Sequence, residues 1–386
     1  MYHTRRINRL EIHGEMAGDP EEEAGFWLRP VWETEDEADL EPPGPLRTRK
    51  KVPKPDFEHP LLTPLARAQN AVARLEAKTE AASAIVAEGL RARMSYLEAA
   101  GWLRHAYFWI SANDLALRDH GASTSYGAAV HEGRLENVLP ATVAEHSDLG
   151  EMAPTALIGI DLAANRALAL ARLWRRLAEL RSWRPLADAE AVGEALKSLG
   201  CGRAAEEIVE DWLGGLYLRE NGPDLIRAGR AARDWMAQPG VRDRDPDGMF
   251  LGACLWQQQN RDAPIPLPFW SAPETHHHRL TLKIGVDWMA EFLECVTAAS
   301  LTGLRELARL QEAEKKGRAI GSTKRSRLPQ AVDAVLRRDI VTTASLAKSL
   351  RVTPQAAWAL LRQLEAAGMV REATGRASWR AYILAG

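Results

Sequence analysis

The dipeptide Thr353-Pro354 and the glycine at 368 bracket a stretch that has little choice but to form one short helix. A threonine hydroxyl accepts from the free amides of a first turn, proline is tolerated where its missing N–H would go unpaired, and glycine supplies the stop. Inside the bracket Ala357, Leu360, Leu361 and Leu364 share one face, while Gln355, Trp358, Ala359 and Arg362 share the opposite one. Upstream, Thr343 to Leu350 reads as a helix capped by Thr342 or Thr343, with Leu346, Ala347 and Leu350 apolar. The link Leu350-Arg351-Val352-Thr353 then turns the chain. Downstream, residues 370–373 and 378–383 read as strands paired across Thr374-Gly375-Arg376-Ala377, whose glycine supplies positive φ. Three helical patterns followed by a hairpin are the order of a winged helix-turn-helix, which the pattern predicts over residues 328–386.

Charge points the same way. From Lys315 to Gly386 there are fourteen Lys and Arg against four acids, in a chain whose net charge is −2, so residues 1–314 carry the compensating negative charge. A basic module of this kind has the electrostatic footprint of a phosphate-backbone binder, and the expected partner is double-stranded DNA. The candidate contact residues are Thr353, Gln355, Trp358 and Arg362 on the recognition helix, Lys348 and Arg351 before it, Arg371, Arg376 and Arg380 on the wing, and Lys324, Arg325 and Arg327 on the preceding segment. The same module also serves elsewhere as a protein-interaction scaffold, which stays open as an alternative.

The chain as a whole is rich in alanine, leucine and arginine and poor in β-branched residues, so the expected class is mainly α: multi-helix N-terminal and middle regions with the winged helix-turn-helix at the C-terminus. Residues 1–57 form an acidic tail, with twelve acids and one base between 11 and 41, expected to lack a core of its own and to be a candidate for intramolecular contact with the basic C-terminal domain. Residues 58–150 read as an N-terminal helical domain and 151–314 as a middle one, with helices over 64–78, 81–109, 155–181, 187–199, 203–217 and 225–236. The middle domain closes with a long helix over 284–314, whose apolar face of Met289, Phe292, Leu293 and Val296 is broad enough for both core packing and self-association and is expected to contribute to a homodimer interface. Residues 315–327 read as a flexible basic linker. Within the middle domain, 263–268 is a Pro-rich connector lying over the core, and His276-His277-His278 are loop residues rather than metal ligands, since adjacent side chains do not converge.

No metal or cofactor is implied. Cys201, Cys254 and Cys295 are far apart in sequence, which suits a reducing compartment. No signal peptide or membrane span is legible, so a cytoplasmic protein is expected.

Several segments carry a family resemblance: His59-Pro60-Leu61-Leu62 with Ala68 and Leu75, Leu115-Ala116-Leu117-Arg118-Asp119-His120-Gly121-Ala122, Val352-Thr353-Pro354-Gln355-Ala356-Ala357, and Arg371-Glu372-Ala373-Thr374-Gly375-Arg376. Over residues 58–386 the chain resembles an alphaproteobacterial family, rhizobial and often plasmid-borne, in which a domain of unknown function precedes a C-terminal helix-turn-helix. The resemblance implies DNA binding and brings no activity with it. The layout is also similar to Fic-type adenylyl transferases, whose loop has the form H-x-F-x-[DE]-x-N-G-x-x-R. The nearest stretch here, His131 to Leu139, keeps only His131 and Asn137 and has Gly133 and Leu135 where the Phe and acid belong. No phosphate loop, nucleophile elbow or H-E-x-x-H pair occurs either. The expected function is therefore a non-enzymatic, sequence-specific DNA-binding protein, a transcriptional regulator or plasmid-maintenance factor; a degenerate Fic-like relic and a scaffold are the alternatives.

Overall fold

The structure, a computed structural model, describes residues 59–121, 152–179, 182–201, 206–218, 221–241, 245–281, 283–320, 326–374 and 380–385. The acidic tail, the Fic-like stretch at 131–139, Lys324, Arg325 and Arg376 lie outside them. Among the described residues the protein is mainly helical, with one small sheet near its C-terminus.

The first helices are α1 (Leu62–Glu80), α2 (Ala84–His105) and α3 (Ala112–Asp119); the middle of the chain adds α4 (Met152–Glu179), α5 (Ala189–Ser198), α6 (Glu206–Leu218), α7 (Asp224–Met236), α8 (Asp247–Gln259), α9 (Glu274–Thr281) and α10 (Gly285–Ala319). Local chemistry sets several starts: the hydroxyls of Ser83 and Ser111 and the carboxylate of Asp188 accept from amides of the first turns of α2, α3 and α5. Helix α2 is the hub. It packs against α3, α4, α9, α10 and the first helix of the C-terminal domain, and almost every residue from Gly89 to Leu103 along it is buried or partly buried. Among the described residues, no helix is long and apolar enough to cross a membrane.

Two charged side chains are sunk into this central helix, Glu98 and Arg93. Glu98, 1 % exposed, accepts from the backbone N–H groups of Phe269 (3.0 and 3.1 Å), Trp270 (2.7 Å) and Ser271 (3.0 Å). It thereby satisfies the amides of a buried, irregular segment that has no secondary-structure partner of its own. Burial pushes the Glu98 carboxyl above the usual range, against the opposing pull of these N–H donors. The Pro-rich segment 263–268 does not lie over the core as its composition predicts. Ile265 and Leu267 are within it, with carbonyls of the segment taken up by the Trp174 indole, which donates to Leu267 O (3.4 Å), and by Arg91, which donates to Pro264 O (3.3 Å).

Three further expectations are corrected. His276 to His278 lie in α9, not in a loop: His277 is 1 % exposed, and its Nε2 is 3.2 Å from Phe269 O, while His276 turns to Glu291 (3.3 Å). The long helix continues past Glu314 to Ala319, so Lys315, Lys316 and Arg318 are helical and not linker. The extension is held because Lys316 Nζ donates to Gly368 O (3.2 Å) and Arg318 pairs with Asp333 (2.7 Å). Finally, the face of Met289, Phe292, Leu293 and Val296 is buried within the chain, with Phe292 stacked between Phe269 and Trp288 at ring-centroid distances of 5.4 and 5.6 Å. Intrachain packing has taken the surface that would have served a homodimer.

Candidate nucleic-acid interface

The C-terminal domain begins with α11 (Leu328–Arg337), followed by β1 (Ile340–Thr342), α12 (Thr343–Leu350), α13 (Pro354–Ala366), β2 (Val370–Glu372) and β3 (Ala381–Leu384). Thr342 and Ser345 form a reciprocal capping box at the start of α12. Arg351 closes α12 in the left-handed region at φ 53°, the conformation that makes the tight turn into α13. Glycine adopts it more readily, so an arginine here keeps an exposed cation at a backbone cost of about 1–2 kcal/mol. Thr353 then caps α13, its hydroxyl accepting from Ala356 N (3.3 Å), and Pro354 occupies the first turn. At the far end Gly368, at φ 65°, lets Gly368 N donate to Glu365 O (2.8 Å) and Met369 N to Leu364 O (2.9 Å), a Schellman close.

The three strands form an antiparallel sheet in the order β1-β3-β2, with Val341 opposite Tyr382 and Glu372 opposite Tyr382 on the other side. All four residues of the middle strand are buried. The β2–β3 hairpin is the wing; its tip, including Arg376, is not among the described residues.

The domain presents two unlike sides. Inward, Val332, Val335, Leu336, Leu361, Met369 and Tyr382 join one apolar cluster with Leu75, Val86, Leu90 and Met94 of α1 and α2 and with Leu307 and Leu310 of α10. At this contact Gly89 comes so close to α11 that an added Cβ would sit 2.0 Å from Leu336 O. Arg93, 5 % exposed, reaches across from α2 and donates to Leu336 O (2.7 Å), Arg338 O (2.8 Å) and Val335 O (3.1 Å). It thus caps the carbonyl end of α11 with a positive charge, where a helix favours one. Its Nε lies 3.4 Å from Glu306 and 3.6 Å from Asp339, which balance the buried cation. Burial pushes the Asp339 carboxyl up to about 6, although Arg93 pulls it down. Arg309 adds a hydrogen bond to Leu384 O (2.8 Å), and Arg337 pairs with Glu88 (3.3 Å).

Outward, α13 exposes Gln355, Ala356, Trp358, Ala359, Arg362 and Gln363, while Ala357, Leu360, Leu361 and Leu364 are buried. Trp358 is 45 % exposed, unusual for so large an apolar side chain at the middle of a helix face. Arg362 is tied to Glu365 at 2.7 Å, and Arg380 stands 3.9 Å from Glu372. Arg327, Lys348, Arg351 and Arg371 are exposed and make no ion pair among the described residues. The twelve candidate contact residues therefore divide: Thr353 is spent on its cap, Arg362 and Arg380 have internal carboxylate partners, Gln355 and Trp358 face outward with those four cations, and Lys324, Arg325 and Arg376 lie outside the described residues.

The described residues offer one group with metal-ligand chemistry, Cys201, Asp245 and Asp247, whose ligand atoms lie within 4.8 Å of one another. A cation is already there: Arg166 Nη2 donates to Cys201 Sγ (3.3 Å) and lies 3.0 Å from Asp245 Oδ1. Burial pushes the Cys201 thiol up to about 12, against the opposing pull of Arg166.

Residues 328–384 match the family described as an HTH DNA binding domain. The C-terminal segment is thus a helix-turn-helix DNA-binding domain, and its bounds coincide with α11 through β3. No curated protein matches the chain.

Proposed function

We propose that this chain is a sequence-specific double-stranded-DNA-binding protein that acts as a transcriptional regulator or plasmid-maintenance factor rather than as an enzyme. One observation carries the reading: the helix-turn-helix domain is docked through its back, leaving the outer face of α13 exposed along its length. In this motif the second helix enters the major groove and its N-terminal residues meet base edges. Gln355, Ala356, Trp358 and Ala359 then address bases, and Lys348, Arg351, Arg371 and Arg327 address phosphates on either side. An exposed arginine in the left-handed region at the turn supports a phosphate role, since that position is otherwise served better by glycine.

Fluorescence anisotropy of the full chain with labelled duplexes, titrated with salt, tests the reading. Affinity should fall steeply with salt, by a log–log slope of about −0.9 per phosphate contact, and a selected sequence should survive at salt that releases random duplex. No binding to any duplex at low salt would refute it.

A further inference from the structure

The reading face of α13 has an unusual composition for a helix in a basic domain, and this bears on which bases it addresses. Its first two turns expose Gln355, Ala356, Trp358 and Ala359, and none of these is charged. The sole cation on the helix, Arg362, sits in the third turn and is held by Glu365 at 2.7 Å. Guanine is read mainly by arginine or lysine donating to its O6 and N7, whereas glutamine donates to and accepts from adenine at N7 and N6, and alanine and aromatic carbons contact the thymine C5-methyl. Two alanines one turn apart also let the helix backbone approach the groove floor closely, bringing Trp358 between them down to the level of the base edges.

We propose that this domain selects A·T base pairs in the major groove, with Gln355 reading an adenine and Ala356, Trp358 and Ala359 packing on thymine methyl groups. The inference rests on α13 being the reading helix and goes beyond it by naming the bases. The exposed cations Lys348, Arg351 and Arg371, on α12, the turn after it and the wing strand β2, supply backbone attraction common to all sequences.

The test uses the full chain. Sites are first selected from a random duplex library. The best site is then remade with uracil for thymine, which keeps every Watson–Crick hydrogen bond and removes only the C5-methyl. The expected core is rich in A·T pairs, uracil weakens binding several-fold, and Gln355→Ala costs roughly tenfold on that site while leaving random duplex unaffected. Because Gln355 is exposed, the variant's circular dichroism should match wild type. A G·C core, or a selected site indifferent to uracil, would overturn the proposal while leaving DNA reading intact. So would an equal loss for Gln355→Ala on selected and random duplex. Failure to enrich any sequence would overturn both.

Discussion

The inward side of the helix-turn-helix domain is apolar, closely packed and stitched by charge, whereas its outward side carries an exposed tryptophan, a glutamine and alanines on a helix whose one arginine is already paired. Both sides are rich in basic residues, yet they use them differently. Arg93, Arg309 and Lys316 of the helical body donate to carbonyls of the domain, and Arg318 and Arg337 find carboxylates across the same contact. Lys348, Arg351 and Arg371 pair with no carboxylate among the described residues. A net positive charge is thus not one property: part of it holds the domain in place, and the remainder is available to a polyanion.

Substitutions on the two sides should separate these roles. The largest effect is expected at Arg93. Arg93→Met strands the last carbonyls of α11 and leaves Asp339 without its partner and Glu306 with Arg309 alone, a loss of about 3–5 kcal/mol in urea denaturation. A change under about 1 kcal/mol would show that the docking contact does not depend on it. Next, Gly89→Ala forces a methyl against Leu336 O and should cost about 1–3 kcal/mol, read as a lowered midpoint.

A pH effect comes next in size. Asp339 titrates near 6 in the folded chain against 3.8 unfolded, so the native state holds the proton more tightly and this carboxyl's contribution to stability declines as pH climbs from about 4 through about 6. His277 works oppositely: burial holds it down to about 4 against 6.5, so its contribution is lost as pH falls from 6.5 toward 4. Asp339→Asn should therefore make stability rise more steeply over pH 4–6 than in wild type, and His277→Phe should make it rise less steeply. Urea midpoints at unit pH intervals check both slopes; parallel curves would remove these groups from the pH response.

The smallest stability effect belongs to the outward side. Lys348→Ala, Arg351→Ala and Arg371→Ala should each shift unfolding by no more than about 0.5 kcal/mol while weakening all duplexes alike and flattening the salt slope by about one unit. If Arg371→Ala changes neither, the wing strand is off the DNA.

Much of the C-terminal domain is legible in the sequence because its signals are local. Thr353-Pro354 and Gly368 act within a turn of themselves, and the 3.6-residue spacing of Ala357, Leu360, Leu361 and Leu364 needs no partner to be seen. Strand β1 is not legible: three residues at 340–342 are a strand only because Ala381 to Ile383 lie beside them, far along the chain. Helix α8 escapes for a different reason. Its residues Met249 to Trp256 are all buried, so no polar face marks its period. The docking side is hidden because an apolar helix face does not say what will cover it; the face of Phe292 and Val296 suits a second copy as well as its own chain. One signal does show. Arg93 and Glu98 fall among Leu90, Met94, Ala99 and Leu103, and an ionisable group inside an apolar run announces a buried partner, although not which one.

Arg93, closing α11 from outside the domain, also limits how this reader can travel. A segment cut out at Leu328 would carry into water three carbonyls that expect a guanidinium from another part of the chain, together with the stripe of Val332, Val335 and Leu336. Grafted onto a foreign scaffold, it would meet neither. Any exchange of this reading head between proteins, by recombination or by design, has to bring along matching rows from α2 and α10, so the heritable unit is the head with its seat.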